Sequence, residues 1–137
     1  MSTTRQYTVV TLETALAVVQ RAITEAEKRE VQASVAVVDP DMNLIAFAKA
    51  DGAAPHSVYS SRRKANTAAS TRRPTGWMGD DLTLSIPLAT ALKLTNIKGG
   101  SPLSCGGTVS GAIGVAGGTP DQDAQIAAAA AAYAAEL

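Results

Sequence analysis

His56, Ser60, Arg63, Lys64 and Thr67 recur at spacings of three and four residues. A helix through them presents an imidazole, two hydroxyls and two cations on one stripe. Such a set suits anion binding, or proton transfer with His56 as general acid or base and Lys64 and Arg63 as electrostatic groups. Arg62, Arg72 and Arg73 extend the positive charge, and no acidic residue stands between Asp51 and Asp80 to neutralise it locally. An anionic ligand or a neighbouring subunit would. A flat, apolar molecule carrying carboxylates fits best, its body meeting the Trp77 loop and its charges meeting Arg63, Lys64 and Thr67. The bland readings are a solvated charged face and a histidine that merely begins a helix.

Other chemistries find less support. His56 is the only histidine, and no G-x-S-x-G turn accompanies Ser57 or Ser60, so a hydrolytic triad lacks its frame. A metal held by His56 with Asp51, Asp80 or Asp81 lacks any spacing that fixes its geometry. The glycines at 111, 114 and 117 follow neither G-x-G-x-x-G nor a P-loop. Asp121 and Asp123 moreover already supply anions to the helix that would receive a phosphate.

The elements that position the stripe are legible in order. Leu12, Ala15, Leu16, Val19, Ala22, Ile23 and Ala26 mark an amphipathic helix over 11–30, with Thr11 as its cap. Ser34–Val38 and Leu44–Ala48 flank Asp39-Pro40-Asp41-Met42-Asn43, which predicts a β-hairpin with aspartates serving the turn. Pro55 opens the stripe's helix, which runs to about Ser70 and turns Val58, Ala65, Ala68 and Ala69 toward a sheet. Arg72-Arg73-Pro74 ends it. A weaker helical segment over 82–94 is expected to break or restart at Pro87. Lys98–Gly107 and Thr108–Ala116 read as strands, where Gly111 and Gly114 admit a ligand or another backbone. Thr119-Pro120-Asp121-Gln122 is a capping box before an alanine-rich helix. The order predicts one α/β domain of the α+β type over 1–137, with a mainly antiparallel sheet.

Composition bounds the rest. Twelve basic residues balance twelve acidic ones, so no overall field favours nucleic acid or an anionic membrane. No apolar run approaches the ~20 residues that cross a bilayer, no secretion signal is evident at the start, and the lone Cys105 suits a reducing cytoplasm. Few aromatics and many alanines make a core of small volume, which predicts close backbone packing or a homo-oligomer.

Asp51-Gly52-Ala53, Ser57, Arg63-Lys64-Ala65-x-Thr67-Ala68, Pro74-Thr75, Gly99-Gly100-x-Pro102, Gly111-x-Ile113-Gly114-Val115-x-Gly117 and Asp121-Gln122-Asp123 resemble the GlcG/HbpS-like family, which includes the C-terminal domain of PduO-type proteins. The resemblance runs through almost the whole chain. It implies a five-stranded antiparallel sheet flanked by helices, assembly into dimers or larger oligomers, and binding of haem or a related tetrapyrrole. It associates the helix carrying Arg63, Lys64 and Thr67 with the ligand, and it puts the Thr67 oxygen where it could face haem iron. The chain departs from haem-binding relatives in having no histidine on its first helix. The same scaffold could serve another ligand as a small-molecule enzyme or catabolic accessory protein, with His56 and Lys64 in catalysis.

Overall fold

Alternating side chains on two adjacent strands decide the layering. The computed structural model describes residues 1–137. In β1 (Ser34–Val38) every residue is buried, so the strand must be covered on both faces. Val35 and Val37 join one apolar cluster, Ala36 and Val38 a second. The larger cluster lies under α1 (Leu12–Lys28) and α5 (Pro120–Ala135), and the smaller under α2 (Ser57–Thr71). The result is three layers: α1 and α5, the sheet, and α2.

The sheet is antiparallel throughout and ordered β2-β1-β4-β3, with β2 at Leu44–Lys49, β3 at Gly100–Cys105 and β4 at Thr108–Ala116. Pro102, which lacks an amide proton, lies in β3 on the sheet's edge, where a missing donor is tolerated. Four strands form, and not the five implied by resemblance. Residues 1–10 are assigned to no strand, and they give the sheet one backbone hydrogen bond, from the Val10 amide to the Ser110 carbonyl at 2.8 Å.

The hairpin turn is as expected: one Asp39 oxygen accepts from the amides of Asp41 (2.8 Å) and Asn43 (2.9 Å), the other from the Asn43 side chain. Thr11 caps α1, accepting from the Thr14 amide at 3.2 Å. The buried face of α1 is rotated from the expected one. Val18 is fully covered, whereas Leu12 and Leu16 are more than half exposed. Glu25 is buried beside Arg21, Lys28 and Arg29, at 3.1, 3.4 and 2.9 Å. Their hydrogen bonds, with Arg29 foremost and Arg21 next, hold its carboxyl down at about 2.

The capping box of α5 is complete, Thr119 accepting from the Gln122 amide while the Gln122 side chain accepts from the Thr119 amide. Between α2 and β3 the chain forms two short turns, α3 (Asp80–Thr83) and α4 (Ser85–Ala89), neither with a buried residue. The break falls at Leu84 and not at Pro87, which sits in the first turn of α4, where no intrahelical donor is missed. No helix is long and apolar enough to cross a membrane.

Candidate functional site

The site's placement follows from how closely α2 lies on the sheet. Gly114 in β4 and Gly100 in β3 are register partners. A Cβ added to Gly114 would strike the Ser61 carbonyl, and one added to Gly100 would strike the Lys64 carbonyl. The glycines therefore admit a backbone, that of α2, and Ala65, Ala68 and Ala69 complete the contact. With its inner face set so close, α2 directs Tyr59, Arg62, Arg63 and Asn66 sideways, toward the β1–β2 turn.

There they line an open cavity of about 650 Å³, the size of a small-molecule site. Met42, Leu44 and Phe47 from the hairpin form one wall, Val58 and Tyr59 another, and Ala91, Leu92 and Lys93 from the loop after α4 the third. Three cations, Arg62, Arg63 and Lys93, meet one carboxylate, Asp41. Hydrogen bonds tie the walls together. Arg62 donates to the Met42 carbonyl (3.2 Å) and to the Asn66 side-chain oxygen (3.3 Å), Arg63 donates to the Leu92 carbonyl (2.6 Å), and Asn66 donates to the Lys93 carbonyl (3.1 Å). Of the five non-glycine residues with positive φ, Met42 (68°), Ala91 (54°) and Leu92 (64°) are cavity residues. Left-handed backbone costs about 1–2 kcal/mol per residue, so strain is concentrated where the walls are shaped.

The residues of the sequence stripe separate in space. Arg63 lines the cavity. Lys64 lies beneath the helix, its ammonium donating to the Val115 carbonyl (2.9 Å) and pairing with Asp123 (3.0 Å). Its side chain is 4% exposed and that of Asp123 2%. Burial pushes the Lys64 pKa down, opposed by the charge and hydrogen bond of Asp123. The other Asp123 oxygen accepts from the Gly118 amide at 2.9 Å, so this pair joins α2, β4 and α5.

Thr67 is fully buried. Its hydroxyl donates to the Arg63 carbonyl (2.8 Å) and accepts from the Thr95 amide (2.8 Å), which anchors the segment leading to β3. His56 stands exposed before α2, makes no side-chain capping bond and is not among the cavity residues. No group of three or more His, Cys, Asp or Glu side chains is arranged to hold a metal ion. Arg73 stacks 3.8 Å from the Trp77 ring, away from the cavity lining.

Sequence reasoning noted Arg62 for its charge but passed over its helical neighbours Tyr59 and Asn66, and over Met42 and Lys93 as cavity residues. The signal for Tyr59 and Asn66 lay in the same periodicity. Met42 and Lys93 reach the cavity through turns whose left-handed residues carry no glycine to announce them.

Comparison with known proteins agrees with this fold. The family model described as haem degrading protein HbpS-like matches residues 10–132. The chain is 37% identical to the protein GlcG of Escherichia coli K12 over 108 residues, 78% of this chain and 81% of that one. A double mutant of Streptomyces reticuli HbpS superposes with a TM-score of 0.84 at 37% identity, covering 95% of this chain and 90% of that one. A PduOC–haem complex superposes with a TM-score of 0.82 at 22% identity, covering 90% and 94%, a likeness of fold alone.

Proposed function

The chain belongs to the HbpS-like family, and on that premise we propose that it is a homo-oligomeric small-molecule-binding protein whose cavity beside α2 takes haem or a related planar anion. The observation that carries this reading is the cavity itself, with apolar walls for a ring system and Arg62, Arg63 and Lys93 for carboxylates. Its volume, its opening to solvent and its excess of cations suit a porphyrin held by its body and its propionates. Lys64 and Thr67 then serve the ligand indirectly, by fixing α2 and the 91–95 loop around it. When bound, haem would supply a redox-active iron; the chain supplies the apolar slot and the counter-charges.

The oligomer is assigned to the arm formed by α3, α4 and the loop to Leu92. Leu84, Leu88 and Leu92 are 72%, 69% and 52% exposed, and nothing in the chain covers them. With the exposed Leu82 of α3 they form an apolar arm suited to a subunit contact. A second copy of the chain is the occupant that matches it.

The test is a titration of the purified chain with haemin and with its dimethyl ester. A saturable Soret shift is expected with haemin, weakened by Lys93→Glu and weaker for the ester, which lacks the anions. Equal affinity for acid and ester, or no saturable shift, would remove the reading.

A further inference from the structure

We propose that the cavity beside α2 is also the docking site for the α3–α4 arm of a second copy of the chain, and that arm and ligand exclude one another there. The docking rests on the oligomer reading above, and its consequence for haemin rests on the binding reading.

The arm is held away from its own cavity. At its start the Asn96 side-chain oxygen accepts from the Met78 amide, while the Asn96 side-chain nitrogen donates to the Met78 carbonyl and the Thr83 hydroxyl, each at 3.0 Å. At its end Arg63 and Asn66 hold the carbonyls of Leu92 and Lys93. Fixed at both ends, the arm keeps Leu84 and Leu88 in solvent.

Arm and cavity carry opposite charges, and both sets are unpaired. From Met78 to Leu92 the chain has two carboxylates, Asp80 and Asp81, and no cation. The cavity sets Arg62, Arg63 and Lys93 against the single carboxylate of Asp41. None of these groups forms an ion pair within the chain. Apolar surface matches as well, the leucines of the arm facing Leu44, Phe47 and Val58 of the cavity walls. A negative, apolar arm thus finds a positive, apolar groove, whereas arm against arm would bring like charges together.

The arm runs into Leu92, itself a cavity residue, so arm and cavity adjoin on one face of the chain. In a symmetric pair, a residue that touches a partner site is matched by the same contact in return. An axis beside Leu92 seats each arm on the other copy's cavity, and both contacts form at once. The arm has the chemistry assigned to the ligand, carboxylates on an apolar body, so whichever occupies the cavity denies it to the other. By linkage, haemin weakens assembly by the same factor by which assembly weakens haemin.

The test is sedimentation velocity of wild type, Asp80→Lys with Asp81→Lys, Lys93→Glu, and all three substitutions combined, with saturating haemin added to wild type. All three side chains are exposed, so the variants are expected to keep the wild-type circular dichroism. Each charge reversal should weaken assembly by about tenfold or more. The combined variant should assemble more tightly than Asp80→Lys with Asp81→Lys, and haemin should dissociate the assembled wild type. Reversals that assemble as wild type does, a combined variant with no recovery, or an unchanged oligomer at haemin saturation overturns the proposal and leaves the oligomer reading standing. A wild type that is monomeric at every concentration overturns the oligomer reading, and this proposal with it. A wild type that assembles without binding haemin overturns the binding reading and the exclusion, and recovery in the combined variant then decides the docking.

Discussion

Replacing Asp123 with asparagine should destabilise the protein severely while leaving its ligand site intact. The substitution keeps the acceptor for the Gly118 amide but removes the charge facing the Lys64 ammonium at 3.0 Å. Lys64 is then left 3% exposed with the Val115 carbonyl as its remaining partner in the native geometry. Breaking one side of a buried ion pair costs about 3–5 kcal/mol, or about 10–20 °C of melting temperature in a domain of this size. Lys64→Met in the same background removes the stranded charge, so the double variant should be more stable than Asp123→Asn alone. A double-mutant cycle followed by urea unfolding should give a coupling of about 2 kcal/mol or more. A cost below about 1 kcal/mol for Asp123→Asn would mean that the pair behaves as a solvated one. Folded Lys64→Met should lose far less haemin affinity than Lys93→Glu, and an equal loss would mean that Lys64 touches the ligand, which its burial excludes.

Gly114→Ala drives a Cβ into the Ser61 carbonyl, so it should cost about 1–3 kcal/mol in thermal or urea unfolding and loosen ligand binding as α2 lifts from the sheet. Because the Glu25 carboxyl is held down at about 2 against an ordinary 4.5, the stability it contributes is fully present above the higher value and is lost as pH falls toward the lower. Unfolding of wild type and Glu25→Gln across that window should therefore converge with acidification, and a constant difference would contradict the ion cluster. Leu84→Asp with Leu88→Asp should convert an assembled wild type to monomer in sedimentation while the monomer keeps the wild-type secondary structure by circular dichroism. A monomeric wild type at the same concentration would contradict the proposed arm.

Much of the frame was legible because it is set by local rules. The hairpin about Asp39, the Thr11 cap, the capping box at Thr119 and the alanine face of α2 all follow from residues a few positions apart, although Val58, expected on that face, lines the cavity. What escaped was set by distant partners. Lys64 and Asp123 stand 59 positions apart, and Asp123 looked sufficient as a dipole-matching anion in the first turn of α5. Arg62 and Arg63 are held by the carbonyls of Met42 and Leu92, acceptors that every residue carries and no sequence pattern marks. The apparent lack of acidic neighbours was thus resolved mostly by backbone. On α1, the buried face is rotated so that Val18 is covered in place of Leu12 and Leu16.

The most direct measurement fills the cavity instead of altering its charge. Val58 lines it from α2 and is only partly buried, so Val58→Trp should occupy the space where a ring system would lie while leaving the core beneath untouched. Equilibrium titration with haemin should show equimolar, saturable binding to wild type and none to Val58→Trp at an unchanged melting temperature. Haemin binding by a folded Val58→Trp variant as tightly as by wild type would contradict the assignment of this cavity as the ligand site.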